Sequence, residues 1–114
     1  LCFGEILLRL SPQANGGWIT SQQMPVFIGG AELNVATALA KWQQPVTYVS
    51  AMPMHALATD ICSHLTQQGI DVSKMIFTGN RIGTYYLPQG ADLKNSGVIY
   101  DRAHSSFANL TVND

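Results

Sequence analysis

The chain has 114 residues, of which 46% are hydrophobic and 11% charged, so we expect one globular unit and exclude a disordered chain. Six Lys and Arg against seven Asp and Glu give a net charge of −1, and no basic cluster could neutralise a nucleic-acid backbone. Residues 42–59 carry no ionised side chain but contain two prolines and two glutamines, so no membrane span is predicted there.

Targeting and redox signals are sparse. The chain begins at Leu1, and Glu5 and Arg9 interrupt the first apolar run too early for a secretory signal. We therefore expect a cytoplasmic protein that is cut short at its front. Cys2 and Cys62 lack the spacing of a zinc site or a disulfide framework, so neither is predicted.

The first 28 residues predict strands. Residues 1–10 are almost continuously apolar and end at Ser11-Pro12, which predicts one strand buried on both faces. After a turn at Asn15-Gly16-Gly17, residues 18–28 are rich in β-branched and aromatic side chains. Pro25 lies within this segment, so we predict an edge strand or a strand pair.

The middle of the chain alternates helix and strand signals. Residues 31–42 are rich in alanine, with an acid in the first turn and a lysine in the last, which predicts a helix. Residues 46–50 predict a short strand, and residues 54–68 predict a second helix with its apolar face at Leu57, Ile61 and Leu65. A further strand is predicted near residues 75–77.

Two more extended stretches, residues 82–87 and 97–103, flank a predicted loop that contains Pro88, Gly90, Asp92 and Asn95. Strands with no helix after them should form a separate small sheet. We therefore predict an α/β fold, with core elements at about 1–10 and 29–80 and lid strands at about 11–28 and 81–106. An ordinary edge extension of the core is the alternative.

The first candidate site lies where Gly29-Gly30 precedes the first predicted helix. Paired glycines let a ligand approach backbone N–H groups, and the helix start adds partial positive charge. Asn34, one turn into the helix, could donate to and accept from a sugar hydroxyl. A tight turn before a capped helix is the alternative. Neither the G-x-G-x-x-G fingerprint nor a G-x-x-x-x-G-K-[ST] phosphate loop occurs in the sequence.

The second candidate site lies on the last predicted strand. Alternation places Tyr100 and Arg102 on one face and Asp101 on the other, with Tyr85 on the preceding stretch. An aromatic platform beside a guanidinium suits a sugar acid. A cross-strand ion pair or a snorkelling arginine is an equally good interpretation from pattern alone. Glu5 also has two interpretations: it binds a ligand at the end of the strand, or its carboxylate accepts hydrogen bonds from the backbone.

These segments together resemble a known family. Residues 29–36, G-G-A-E-L-N-V-A, followed by Leu39-Ala40, are similar to the first signature of the ribokinase-like (PfkB) carbohydrate kinases. Residues 4–12, G-E-I-L-L-R-L-S-P, with G-T-Y-Y-L at 83–87 and V-I-Y-D-R at 98–102, resemble the 2-keto-3-deoxygluconate kinase branch. The resemblance extends over the whole chain.

The resemblance implies part of a doubly wound ribokinase-like sheet with a small β lid, which in many members also joins two subunits of a homodimer. It implies phosphoryl transfer from ATP, with Mg²⁺, to the terminal hydroxyl of 2-keto-3-deoxy-D-gluconate. Family substrate contacts correspond to Gly30, Ala31, Glu32, Leu33, Asn34, Tyr85, Tyr100 and Arg102.

The family's second signature, G-A-G-D, which supplies the catalytic Asp and an anion hole, occurs nowhere in the sequence. Phosphoryl transfer depends on positioning and charge stabilisation of the phosphate, so we expect the 114 residues alone to be inactive. The catalytic Asp is expected beyond residue 114, and ATP and Mg²⁺ should bind mainly outside this segment. A non-catalytic sugar-acid-binding or dimerising module is the alternative, as is a kinase for another sugar such as fructose.

Overall fold

The computed structural model describes residues 1–90 and 97–114. The predicted loop positions Asp92 and Asn95 lie outside the described residues. Within them the strands are β1 Cys2–Phe3, β2 Leu7–Leu10, β3 Val26–Gly29, β4 Tyr48–Val49, β5 Ala51–Met52, β6 Ile76–Phe77, β7 Gly83–Tyr86 and β8 Ile99–Asp101. The helices are α1 Trp18–Ser21, α2 Ala31–Lys41 and α3 Ala56–Gln67. In the part of the chain that the structure describes, no helix combines the length and apolarity needed to cross a bilayer.

Short parallel strand pairs and two helices make up the core. Strand β1 pairs with β4, and β5 pairs with β6, both in parallel. Helix α3 connects β5 to β6, as a crossover between parallel strands requires. The two predicted helices and the strands near residues 46–50 and 75–77 are therefore confirmed, as β4 within the first stretch and β6 within the second. Strand β5 follows directly after the first stretch.

The buried face of α3 differs by one position from the prediction. Ala58, Ile61 and Leu65 are buried, whereas Leu57 is 46% exposed. The helix begins after His55, whose Nδ1 accepts a hydrogen bond from the Ala58 N–H at 3.2 Å. Ala58, Ile61 and Leu65 all belong to the hydrophobic core, so packing against it gives the inward face the 58, 61, 65 spacing.

Tyr48 lies at the centre of the core. Its side chain is fully buried, and its hydroxyl has no hydrogen-bond partner among the described residues. Desolvation raises the pKa of this hydroxyl, and the nearby carboxylate of Glu32 adds to the effect. A buried polar group without a partner lowers the free energy of unfolding.

We expect Tyr48→Phe to raise the free energy of unfolding by about 1–3 kcal/mol, because it removes the unpaired hydroxyl and keeps the ring. Urea denaturation of the two proteins measures the difference. Tyr86→Phe, at a half-buried position, is the matched control and should change stability little. A loss of stability in Tyr48→Phe would mean that the hydroxyl is bonded in solution.

The remaining strands form a separate four-stranded sheet in the order β3-β2-β7-β8, which we call the small sheet. Strand β2 is antiparallel to β3 and parallel to β7, and β7 is antiparallel to β8. The predicted edge strand is confirmed as β3. Residues 18–21 form a helical turn instead of a strand, because the Trp18 indole stacks on Tyr86 and donates to the Gln13 carbonyl at 2.8 Å.

The first ten residues form two strands and not the predicted single one. Strand β1 lies in the core and β2 lies in the small sheet, so the chain crosses between the sheets at residues 4–6. The crossing is held by Glu5, whose buried carboxylate is bonded to residues near the end of the chain. Strand β2 therefore pairs with β3 and β7 of the small sheet, while β1 pairs in the core.

Candidate functional site

The start of α2 is a glycine-dependent junction. Gly30 precedes the helix with φ 137° and ψ 133°, a backbone conformation that side chains rarely allow. A Cβ built there would lie 2.5 Å from the carbonyl oxygen of Glu5. The absence of a side chain thus lets the helix start approach the crossing between β1 and β2 directly.

Arg102 follows β8 and returns toward the same crossing. Its Nη2 donates to Glu5 Oε2 at 2.5 Å, and the Ser105 hydroxyl donates to Glu5 Oε1 at 2.5 Å. Glu5 is 6% exposed, whereas the Arg102 side chain is 49% exposed. The guanidinium is therefore anchored at one end and open to solvent at the other.

A cavity of about 330 Å³ joins these two features, and we call it the hinge cavity. Four predicted contact residues line it together: Gly30, Ala31, Glu32 and Arg102. Phe3, Gly4, Glu5, Leu7 and Phe107 complete its walls. The structure thus brings the helix start and the arginine into one cavity.

The two predicted tyrosines form a pair beside it. Tyr85 and Tyr100 are direct cross-strand partners, with ring centroids 5.9 Å apart. The Tyr85 hydroxyl would lie 2.9 Å from a Cβ built on Gly29. Arg102 follows β8, and its Cβ would lie 3.0 Å from a Cβ built on Gly83, which is on the Tyr85 face of β7. Arg102 is therefore on the tyrosine face, as the sequence predicted.

Asn34 lies apart from Arg102. It lines a second cavity, of about 300 Å³, with Arg9, Phe27 and Thr37. Leu33 is 3% exposed and belongs to the hydrophobic core, so its side chain contributes packing and an apolar wall to that second cavity. The predicted contacts are therefore distributed over two neighbouring cavities.

Within residues 1–90 and 97–114, no three His, Cys, Asp or Glu side chains lie close enough to hold a metal ion. No described residue is therefore assigned as a metal ligand.

The family model for pfkB carbohydrate kinases matches residues 1–112. The chain belongs to this family. Its members are phosphotransferases, and the predicted family and ribokinase-like fold are confirmed.

Three relatives define the similarity. A 2-dehydro-3-deoxygalactonokinase from Haloferax volcanii is 31% identical over 104 residues, which is 91% of this chain and 33% of the relative. The structure of a 2-dehydro-3-deoxygluconokinase from Thermotoga maritima is 38% identical with a TM-score of 0.83, covering 96% of this chain and 33% of that one. A PfkB family kinase from Listeria grayi gives the same identity and TM-score, with 95% and 34% covered. The chain thus spans about a third of the length of these relatives.

Arg9 was missed by the sequence reasoning. It lies beside Tyr85 in β2, and its guanidinium carbon is 4.5 Å from the centroid of the Phe27 ring. Its Nε is buried without a hydrogen-bond partner in the described part of the chain. The sequence signal for Arg9 was a charged residue within an apolar strand. Alternation from Leu7 would have placed the Arg9 side chain on the same face of the small sheet as Tyr85.

The other face of the small sheet carries none of the predicted contacts. Leu8, Leu10, Val26 and Ile28 of this face line a mainly apolar cavity of about 620 Å³ against α3. This is larger than the hinge cavity, yet Arg102 and both site tyrosines lie on the opposite face. Size alone would therefore point to the face that carries none of the predicted contacts.

Proposed function

We propose that the enzyme containing these residues transfers the terminal phosphoryl group of ATP to the terminal hydroxyl of 2-keto-3-deoxy-D-gluconate. In this proposal the 114-residue chain carries most of the sugar site. The observation that carries the proposal is the anchored Arg102 guanidinium in one cavity with the start of α2. The Thermotoga maritima relative, a 2-dehydro-3-deoxygluconokinase, supports the same substrate class.

Each group has a chemical role in this proposal. The free guanidinium donors of Arg102 bind the substrate carboxylate, since a planar fork matches two carboxylate oxygens. The rings of Tyr85 and Tyr100 cover the carbon chain. Backbone groups at Gly30 and the Asn34 amide bind hydroxyls along it. The small sheet acts as a lid that excludes water from the transferring phosphate.

The nucleotide half belongs to the part of the enzyme that the relatives have and this chain does not span. We assign the catalytic aspartate, ATP and Mg²⁺ to that part, because no G-A-G-D sequence occurs in these 114 residues. The chain's own residues then bind and orient the acceptor sugar.

We also propose a homodimer formed through the small sheet. Val26 and Ile99, near opposite edges of the small sheet, are both about half exposed, and exposed apolar side chains of this kind favour a protein partner over water. Sedimentation equilibrium of the full-length enzyme tests this, and a monomer at micromolar concentration would contradict it.

A coupled ADP-release assay on the full-length enzyme tests the reaction. The panel contains 2-keto-3-deoxygluconate, its galactonate counterpart, gluconate, fructose and ribose. We expect the highest kcat/KM for the first compound and little turnover of neutral sugars, which offer no carboxylate to Arg102.

A second candidate substrate, 2-keto-3-deoxygalactonate, is favoured by the Haloferax volcanii relative. The two sugar acids differ in the configuration of one hydroxyl, so the same panel separates them. Preference for fructose would contradict a sugar-acid site, and binding of a sugar acid without ADP release would favour a non-catalytic module.

A further inference from the structure

Glu5 connects the crossing from β1 to β2 with the segment that follows β8. It lies in the crossing from β1 to β2, while Arg102 and Ser105 follow β8 at the end of the small sheet. Its two carboxylate oxygens are divided between them, Oε2 to Arg102 and Oε1 to Ser105, each at 2.5 Å. One buried carboxylate therefore holds the segment after β8 against the crossing between β1 and β2.

Two glycines make room for Glu5, Gly83 beside its carboxylate and Gly30 beside its backbone carbonyl. A Cβ on Gly83 would lie 2.7 Å from Glu5 Oε1 and 3.0 Å from the Arg102 Cβ. A Cβ on Gly30 would lie 2.5 Å from the Glu5 carbonyl oxygen. The start of α2, strand β7 and Arg102 thus all approach Glu5 closely.

The pairing leaves most of the arginine available. A guanidinium has five N–H donors, and Glu5 takes one hydrogen bond from Nη2. The half-exposed remainder borders the hinge cavity. In this ion pair the Glu5 end is buried and the Arg102 end is half exposed. The pair therefore fixes the direction of the guanidinium plane, and the outer edge of the guanidinium stays accessible to a ligand.

We propose that Glu5 is the positioning residue that aims Arg102 at the substrate carboxylate. The inference rests on the proposed function, and it deepens it by naming the group that sets the geometry of acid recognition. Glu5 itself does not touch the sugar in this proposal. Its carboxylate acts through Arg102, with Ser105 holding the second oxygen in place.

The test compares Glu5→Gln with Asp101→Asn in the full-length enzyme. Asp101 is the matched control, because it is paired with Arg81 in the same sheet but is exposed and on the opposite face of β8. We expect Glu5→Gln to raise KM for the keto-deoxy acid about 10- to 100-fold with kcat changed less than about threefold. Asp101→Asn should leave both constants close to wild type.

The readouts separate positioning from a merely structural role. A general loss of folded enzyme would lower the apparent kcat and leave KM unchanged. A misoriented Arg102 guanidinium would instead raise KM. Glu5→Asp, which keeps the charge, should recover part of the loss. An unchanged KM in Glu5→Gln, or equal effects in Asp101→Asn, would overturn the inference.

If Glu5→Gln does not fold, Ser105→Ala provides the second test, because it removes one anchor and keeps the carboxylate. We expect a KM rise of about three- to tenfold, and no rise would overturn the inference. The wild-type arm tests the proposed function separately. A wild-type enzyme inactive on all sugar acids refutes that function and the role of Glu5 with it, whereas an active wild type with an unaffected variant refutes Glu5 alone.

Discussion

Replacing Arg102 by alanine is expected to weaken binding of the keto-deoxy acid by about 2–5 kcal/mol, which is roughly 30-fold to several thousandfold in KM. In the proposed site, the variant removes the cation that binds the substrate carboxylate. It also leaves Glu5, 6% exposed, without its charged partner. Steady-state kinetics of the full-length enzyme with 2-keto-3-deoxygluconate measures the change.

The structure offers a matched control in Arg81, which precedes β7 and pairs with Asp101 of β8. It also donates to the Ala103 carbonyl at 2.9 Å, away from the hinge cavity. Arg81→Ala should therefore lower stability and leave KM for the sugar acid nearly unchanged.

A double variant, Arg102→Ala with Glu5→Gln, separates the two consequences of losing Arg102. It removes the buried unpaired charge, so stability should recover relative to Arg102→Ala while the high KM remains. An unchanged KM in Arg102→Ala itself would remove this residue from the site.

The helices could be predicted because their signals are local. The alanine-rich sequence after Gly30 and the spacing of Ile61 and Leu65 both specify helix within about one turn of the residues concerned. The division of the first apolar run could not be predicted in this way. It depends on bonds from Glu5 to residues 97 and 100 positions later in the chain.

The site was predictable to the same extent. Alternation in extended chain placed Tyr100 and Arg102 on one face, and the cross-strand register supplied Tyr85 as the neighbour. The separation of Asn34 from Arg102 depends on how α2 is rotated against the small sheet, which no local pattern determines. Glu5 remained ambiguous for the same reason, since its partners are distant in sequence.

Gly30→Ala should be among the most damaging single-methyl additions. The new Cβ would lie 2.5 Å from a backbone oxygen of Glu5, which cannot rotate away as a side chain can. The φ of 137° adds about 1–3 kcal/mol of backbone strain. We expect the free energy of unfolding to fall by about 3 kcal/mol, and KM for the sugar acid to rise about 10- to 100-fold as the crossing shifts.

Gly69→Ala separates the effect of the close contact with Glu5 from the effect of the positive φ. Gly69 also has a positive φ, 84°, but a Cβ there meets no atom of the described residues within 4 Å. It should cost only the left-handed backbone penalty of about 1–2 kcal/mol and leave KM unchanged, since Gly69 follows α3 far from the hinge cavity. Urea denaturation and kinetics of both variants provide the comparison. If Gly30→Ala were no more damaging than Gly69→Ala, the close approach of the helix start to Glu5 would not exist in solution, and the hinge cavity would lose one of its walls.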